Sequence, residues 1–201
     1  MKRFFEKYSY ESVRLFLNQF AISLFGLTLG IASFAMKARP LLIITSVASI
    51  LFYLFLQYTV AWGAGAKDKI SIDCGNAKKD MRVPLFMWLL ANVLNLVIAI
   101  CFTVGFFLKD IAFFGNMQGI ATIASFILEG EYFGILSIKV VGEWKLLDFP
   151  FMYFIITLPS LATVLLGYGL ALKDKGSLNI LGQSYPDSDA PEKKRGFFRK
   201  K

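Results

Sequence analysis

Three carboxylates that could act as acids, bases or metal ligands lie in one polar stretch, residues 63–82. Asp68, Asp73 and Asp80 lie there, and carboxylates commonly bind hard metal ions or transfer protons. Five basic residues lie in the same stretch, which favours paired, solvated charges on an inner loop, with a turn at Cys74-Gly75-Asn76 and a possible short hairpin. The sequence therefore predicts no catalytic residue here.

Zinc and redox chemistry have no support either. The chain has no histidine and two cysteines, of which Cys74 lies in the polar stretch and Cys101 in an apolar run. Two such separated cysteines are expected to be free thiols and form no metal motif. We therefore expect a protein that is not an enzyme, with no cofactor and no metal site.

Side-chain amides form the second polar set, and all of them lie in long apolar runs: Asn18, Gln19, Gln57, Asn92 and Asn95. Asn92 and Asn95 are three positions apart and would share one face of a helix. They could line a polar path or binding site. The sequence favours the other interpretation, hydrogen bonds between membrane helices, which contribute about 0.6 kcal/mol each.

Small residues mark a packing surface in the first apolar run. Gly26 and Gly30 are four positions apart and are flanked by Ser23 and Ser33, a pattern that lets another helix approach closely. The pattern predicts packing, but it leaves open whether the partner is a second copy, another protein or a helix of the same chain.

The composition indicates that these residues lie in or between membrane-spanning helices. Of 201 residues, 56% are hydrophobic and 18% are charged, which is typical of a membrane protein. The net charge of +8 comes from basic residues flanking apolar runs, so we expect anionic lipid headgroups and not nucleic acid as partners. Four uncharged runs, 15–36, 41–66, 83–108 and 149–172, reach the roughly 20 residues needed to span a bilayer. Pro159 lies inside the fourth and predicts a kink.

A fifth uncharged segment, residues 111–128, is ambiguous. Leaving it out of the spans puts both termini on the basic, cytoplasmic side, as the positive-inside rule requires. The segment also contains the polar and small residues Gly115, Asn116, Gln118 and Gly119, which suit a re-entrant or interfacial helix. We therefore predict an all-α membrane protein with four transmembrane helices and an outer re-entrant or interfacial segment between helices 3 and 4. The following stretch, with Glu129 and Glu131, is expected on the outer surface as a cap.

Residues 1–172 form the predicted membrane domain, and residues 173–201 form a basic cytoplasmic tail that is expected to be disordered in water. The end of the tail has six basic residues around two phenylalanines, a composition suited to anionic membranes. The predicted lipid-contact residues are Lys193, Lys194, Arg195, Phe197, Phe198, Arg199, Lys200 and Lys201.

The first half of the chain resembles small, uncharacterised membrane proteins of low-GC Gram-positive bacteria. The resemblance rests on Asn18-Gln19 with Ser23-Leu24-Phe25-Gly26, Phe52-Tyr53-Leu54-Phe55 with Tyr58, Gly65-Ala66-Lys67-Asp68-Lys69, and Ala91-Asn92 with Asn95. It implies a bacterial plasma membrane and four spans, and it implies no chemistry.

These observations predict a non-enzymatic accessory or scaffold subunit of a membrane complex. Its expected partners are membrane lipids and either another membrane protein or a second copy of the chain. The alternative is a small transporter or channel formed by self-association, with the amides lining the path. Spans without charged residues favour the first function, because intramembrane charges usually mark transport pathways.

Overall fold

The computed structural model describes residues 2–141 and 144–173. The predicted lipid-contact cluster, residues 193–201, lies outside these residues.

The chain is built mainly from helices. The first five are α1 (Lys2–Ala35), α2 (Arg39–Asp73), α3 (Arg82–Ala91), α4 (Val93–Phe107) and α5 (Ala112–Leu128). Shorter elements follow: a 3-10 turn (Gly130–Tyr132), α6 (Phe133–Leu136), the antiparallel strands β1 (Lys139–Val141) and β2 (Trp144–Lys145), a second 3-10 turn (Leu146–Asp148), α7 (Met152–Ile155) and α8 (Leu158–Lys173).

Three helices are long and apolar enough to cross a membrane: Phe4–Ala35, Arg39–Asp73 and Met152–Lys173. Two bent pairs also qualify if each pair counts as one span, α3 with α4 at 61° and Ala112–Leu128 with Gly130–Leu136 at 89°. Large apolar side chains lie on the outside of these helices, for example Phe34 at 65%, Ile44 at 63% and Ile120 at 69% exposure. Such a surface is typical of helices surrounded by lipid.

Helices α1 and α2 are longer than the apolar runs that predicted them. They contain 34 and 35 residues, roughly 50 Å each at 1.5 Å per residue, against about 30 Å of hydrocarbon. The inner loop predicted for residues 63–82 is therefore largely helix, because α2 continues to Asp73. The predicted turn is present, with Gly75 at a φ of 74°, but residues 63–82 form no hairpin.

Breaks interrupt two of the predicted spans. Helix α7 ends at Ile155 and α8 begins at Leu158, next to Pro159, which cannot donate to the carbonyl of Ile155. Met152–Lys173 still counts as one span, and the predicted kink at Pro159 stays a prediction. The run 83–108 was predicted as one helix, and this is wrong. It bends at Asn92, whose backbone N–H and Nδ2 both donate to the carbonyl of Trp88, at 2.9 and 3.1 Å.

Helices α1, α2, α3 and α8 share the main core. Its buried members are Leu15, Val60, Ala61, Ala64, Val83, Met87, Trp88, Ala91, Val164 and Tyr168. Helices α4, α5 and α7 form a second cluster from Ala99, Phe102, Ala121 and Tyr153, with Phe102 and Tyr153 in ring contact. Between them, the segment that follows α5 lies against α1 and α2.

Candidate functional site

The candidate site lies where the chain turns sharply after α5, at Glu129, Gly130 and Glu131. The turn of 89° places residues 128–134 against the middle of α1 and the first part of α2. Two acidic residues thus lie between two long apolar helices.

Glycines allow this close approach. A Cβ atom on Gly26 would lie 2.6 Å from the Cα of Glu131, and one on Gly30 would lie 2.7 Å from the ring of Phe133. A Cβ on Gly134 would meet the carbonyl oxygen of Leu42. The small-residue pair predicted on α1 therefore packs against residues 130–134 of the same chain.

Side chains of α1 and α2 satisfy the backbone groups that the turn leaves free. The Ser23 hydroxyl donates to the carbonyl of Ile127 at 2.8 Å and accepts from the backbone N–H of Gly130 at 2.5 Å. Gln19 Nε2 donates to the Leu128 carbonyl at 3.2 Å. From α2, Ser46 Oγ donates to the carbonyl of Glu131 at 2.6 Å. Irregular backbone between membrane helices requires such partners.

Both carboxyl groups are buried, which corrects the prediction that this stretch lies on the outer surface. Glu131 is 0% exposed and Glu129 is 4% exposed. Within the part of the chain that the structure describes, neither oxygen of Glu131 has a hydrogen-bond partner, and neither does Oε1 of Glu129. Sequence reasoning missed them because two glutamates beside a glycine normally indicate a solvated loop. The only available signal was the small-residue face of α1, which needed a partner.

Other polar groups surround the pair. Gln19 Oε1 and the Tyr132 hydroxyl are also buried without partners. The side chains of Tyr53 and Tyr132 lie near both carboxyl groups, and that of Tyr153 lies near Glu129. Among residues 2–141 and 144–173, no three His, Cys, Asp or Glu side chains are arranged to hold a metal ion.

The amides predicted in the spans lie in different places. Gln19 belongs to the site, as described above. Gln57 is buried and donates to the Leu15 carbonyl at 3.0 Å, joining α2 to α1. Asn18 is half-buried. Asn95 Nδ2 donates to Asn92 Oδ1 at 3.2 Å, so these two amides bond to each other at the break between α3 and α4. Nearby, Trp88 Nε1 makes the bond between helices, donating to Ser160 Oγ at 2.8 Å.

The aspartates of the polar stretch differ from one another. Asp73 and Asp80 are exposed, as solvated charges would be. Asp68 is 3% exposed and lies inside the bundle, so its predicted solvation is wrong, although it is paired with Lys7. The helix that continues past residue 66 turns this residue inward.

No family model, curated protein or solved structure matches this chain. The resemblance to membrane proteins of Gram-positive bacteria therefore stays a prediction, and the site has to be interpreted from its own geometry.

Proposed function

We propose that this protein is a small transport protein of the bacterial plasma membrane that binds and releases protons at Glu129 and Glu131. The burial of Glu131 carries the proposal. Ionisable groups between membrane helices are expensive to keep, and they commonly mark proton or ion pathways.

The proposed topology has four spans, with α3 and α4 as one broken span and the segment 111–136 as a re-entrant hairpin from the outer side. Contacts along α1 support the hairpin. Residues 128, 130, 131 and 133 contact Gln19, Ser23, Gly26 and Gly30 in that order, so the returning arm runs towards the Lys37 end of α1. The basic residues at the N-terminal end of α1 and on the same side of the bundle favour a cytoplasmic location for both termini.

An ionised Glu131 would be compensated only by its own backbone N–H and the Ser23 hydroxyl, two neutral groups. A buried carboxylate without a partner costs several kcal/mol, because nothing replaces the water it has lost. The titratable groups that face the pair are Tyr53 from α2, Tyr132 from the turn and Tyr153 from α7. Among residues 2–141 and 144–173, no basic side chain belongs to this set. A bound proton removes the charge and so stabilises the buried state.

The numbers of unpaired hydrogen-bond donors and acceptors around the turn also favour protonated carboxyl groups. Around the turn, four buried acceptor oxygens lack a donor: Gln19 Oε1, Glu129 Oε1 and both oxygens of Glu131. The Tyr132 hydroxyl is one unpaired donor. Each proton bound to a carboxyl group converts one acceptor oxygen into a donor. One or two bound protons therefore make the numbers of unpaired donors and acceptors nearly equal.

Labelling with dicyclohexylcarbodiimide tests the proposal. This apolar reagent modifies protonated carboxyl groups, and peptide mass spectrometry locates the adduct. We expect an adduct at Glu131 or Glu129 that forms more slowly as the pH rises. The matched control is Asp110, an exposed carboxylate in the turn between α4 and α5. Absence of an adduct at both glutamates over the whole pH range would contradict proton binding, and protection by an alkali cation at fixed pH would identify a metal ion instead.

Proteoliposomes with an entrapped pH indicator test transport itself. Under an applied membrane potential, Glu131→Gln should abolish the protein-dependent proton flux, whereas Asp110→Asn should leave it unchanged. Folding of Glu131→Gln is checked by thermal unfolding, and we expect no loss of stability, because the substitution removes an unpaired buried acid. Equal flux in both variants would refute the transport function. Co-purification of a stable foreign subunit would then favour the accessory function predicted from the sequence.

A further inference from the structure

A second buried carboxylate joins three helices at the end of the bundle opposite Lys37. Asp68 of α2 accepts hydrogen bonds at Oδ2 from the hydroxyls of Tyr8, at 2.7 Å, and Tyr168, at 2.5 Å. Its Oδ1 lies 2.6 Å from Nζ of Lys7. Lys7 and Tyr8 belong to α1 and Tyr168 belongs to α8, so one side chain connects α1, α2 and α8. We name these four residues the Asp68 node.

An apolar layer separates the node from the carboxyl pair. Along the buried face of α2, Ser46, Ser49, Tyr53 and Gln57 are followed by Val60, Ala61, Ala64, Gly65 and then Asp68. The distance along the helix from Gln57 to Asp68 is roughly 16 Å at 1.5 Å per residue. No polar side chain of this face of α2 lies in that interval.

Within this layer, the backbones of α2 and α8 pack closely against each other. A Cβ atom on Gly65 would lie 2.7 Å from the carbonyl oxygen of Tyr168, and one on Gly167 would lie 2.8 Å from that of Tyr58. Helices α2 and α8 therefore touch directly, so a proton or water molecule can pass between these two helices only if they separate.

We propose that the Asp68 node is the cytoplasmic gate of the Glu129 and Glu131 site, which rests on the function proposed above. While the node is intact, the carboxyl pair exchanges protons only with the outer side. When the ties to Asp68 break, α1 and α8 separate from α2 and the pair becomes accessible from the cytoplasmic side.

The node is suited to this role because the Asp68 side chain is only 5% exposed and its bonds are charge-assisted, and such bonds are roughly twice as strong as neutral ones. The buried bond from Tyr168 contributes most, since the Lys7 side chain is 46% exposed and water screens its ion pair. The neighbouring pair, Lys67 and Glu11 at 2.9 Å, is a weaker tie, because it is a single ion pair whose Lys67 side chain is 68% exposed to water, although the Glu11 side chain is 11% exposed. This pair provides a matched control at the same end of the bundle.

Thiol accessibility tests the gate directly. Ala64 is 2% exposed within the apolar layer, so Ala64→Cys in a background with Cys74→Ser and Cys101→Ser reports opening. A membrane-impermeant methanethiosulfonate is applied from the cytoplasmic side of inverted vesicles. Adding Asp68→Asn should raise the labelling rate by about tenfold, the effect of weakening charge-assisted hydrogen bonds. Adding Glu11→Gln should leave the rate within about twofold. If Asp68→Asn does not fold, Tyr168→Phe, which removes one tie, should raise the rate several-fold.

Carbodiimide labelling of Glu131 then connects the gate to the site. In sealed proteoliposomes of known orientation, labelling should follow the pH of the outer side in the unmodified protein and of both sides in Asp68→Asn. An unchanged thiol rate, an equal increase in Glu11→Gln, or a labelling of Glu131 that ignores the cytoplasmic pH in Asp68→Asn would each overturn the gate. If Glu131 is never labelled, the proton-binding function fails, while the thiol rates still decide whether Asp68 holds this end closed.

Discussion

Gly26→Ala should prevent residues 130–134 from packing against α1, because the added methyl group would meet backbone atoms. Its Cβ would lie 2.6 Å from the Cα and 2.9 Å from the backbone nitrogen of Glu131. Backbone at a sharp turn cannot rotate away as a side chain can. The segment must therefore move off α1 or the helix must bend.

The magnitude follows from a comparison with Gly63, a glycine of α2 that has no atom within 4 Å of the position its Cβ would occupy. Replacing glycine by alanine in a helix is favourable by about 1 kcal/mol, and this gain is common to both positions. Overpacking typically costs about 1–3 kcal/mol, and only Gly26 incurs it. Gly26→Ala should therefore be about 1–3 kcal/mol less stable than Gly63→Ala. Gly30→Ala should lie between them, since its methyl group meets the movable ring of Phe133.

Unfolding of the three variants in mixed detergent micelles, followed by circular dichroism, measures these differences. Carbodiimide labelling gives a second readout, since a displaced turn should expose Glu131 and Glu129 to water and change the pH dependence of their modification. Equal stability of Gly26→Ala and Gly63→Ala would refute the packing of residues 130–134 on α1.

Three further predictions concern single interactions. Ser23→Ala should destabilise the protein by about 1–3 kcal/mol in the same unfolding assay, because it leaves the carbonyl of Ile127 and the N–H of Gly130 unpaired. Ser33→Ala is the control and should have little effect, since it removes only a bond to the preceding turn of its own helix. Trp88→Phe should weaken the contact between α3 and α8 by roughly 0.6 kcal/mol or more, and unchanged unfolding would contradict this bond. A peptide of residues 187–201 should bind anionic vesicles and lose most of that binding at high salt, and equal binding to neutral vesicles would disprove charge-driven contact.

The sequence predicts the apolar helices well because the bilayer imposes simple rules on length and charge. Uncharged runs locate the cores of α1, α2 and α8, and Pro159 locates a break in the last span. Helix ends are predicted less well. Charged residues such as Arg14 and Lys67 end an apolar run without ending the helix, since their backbone continues the same hydrogen-bond ladder beyond the hydrocarbon.

The candidate site could be predicted only in part. Gly26 and Gly30 indicate close packing, but glycine spacing carries no information about the identity of the partner. Glu129 and Glu131 follow an apolar segment, and local sequence does not distinguish a turn exposed to water from one enclosed by two other helices. That distinction depends on tertiary contacts, here the hydrogen bonds from Ser23 and Ser46.

Two buried acidic side chains in this bundle differ in their hydrogen-bond partners, and the difference bears on function. Asp68 is buried with three donors, so its charge is compensated and stabilises the contact of α1 and α8 with α2. Glu131 is buried with none, although apolar residues of similar volume would satisfy the same space at lower free energy. A purely structural role would favour such residues, because the backbone of Glu131, and not its carboxyl group, makes the contacts with Gly26 and Ser46. The unpaired acid is therefore better explained by chemistry that requires a carboxyl group, and reversible protonation is the chemistry that its surroundings favour.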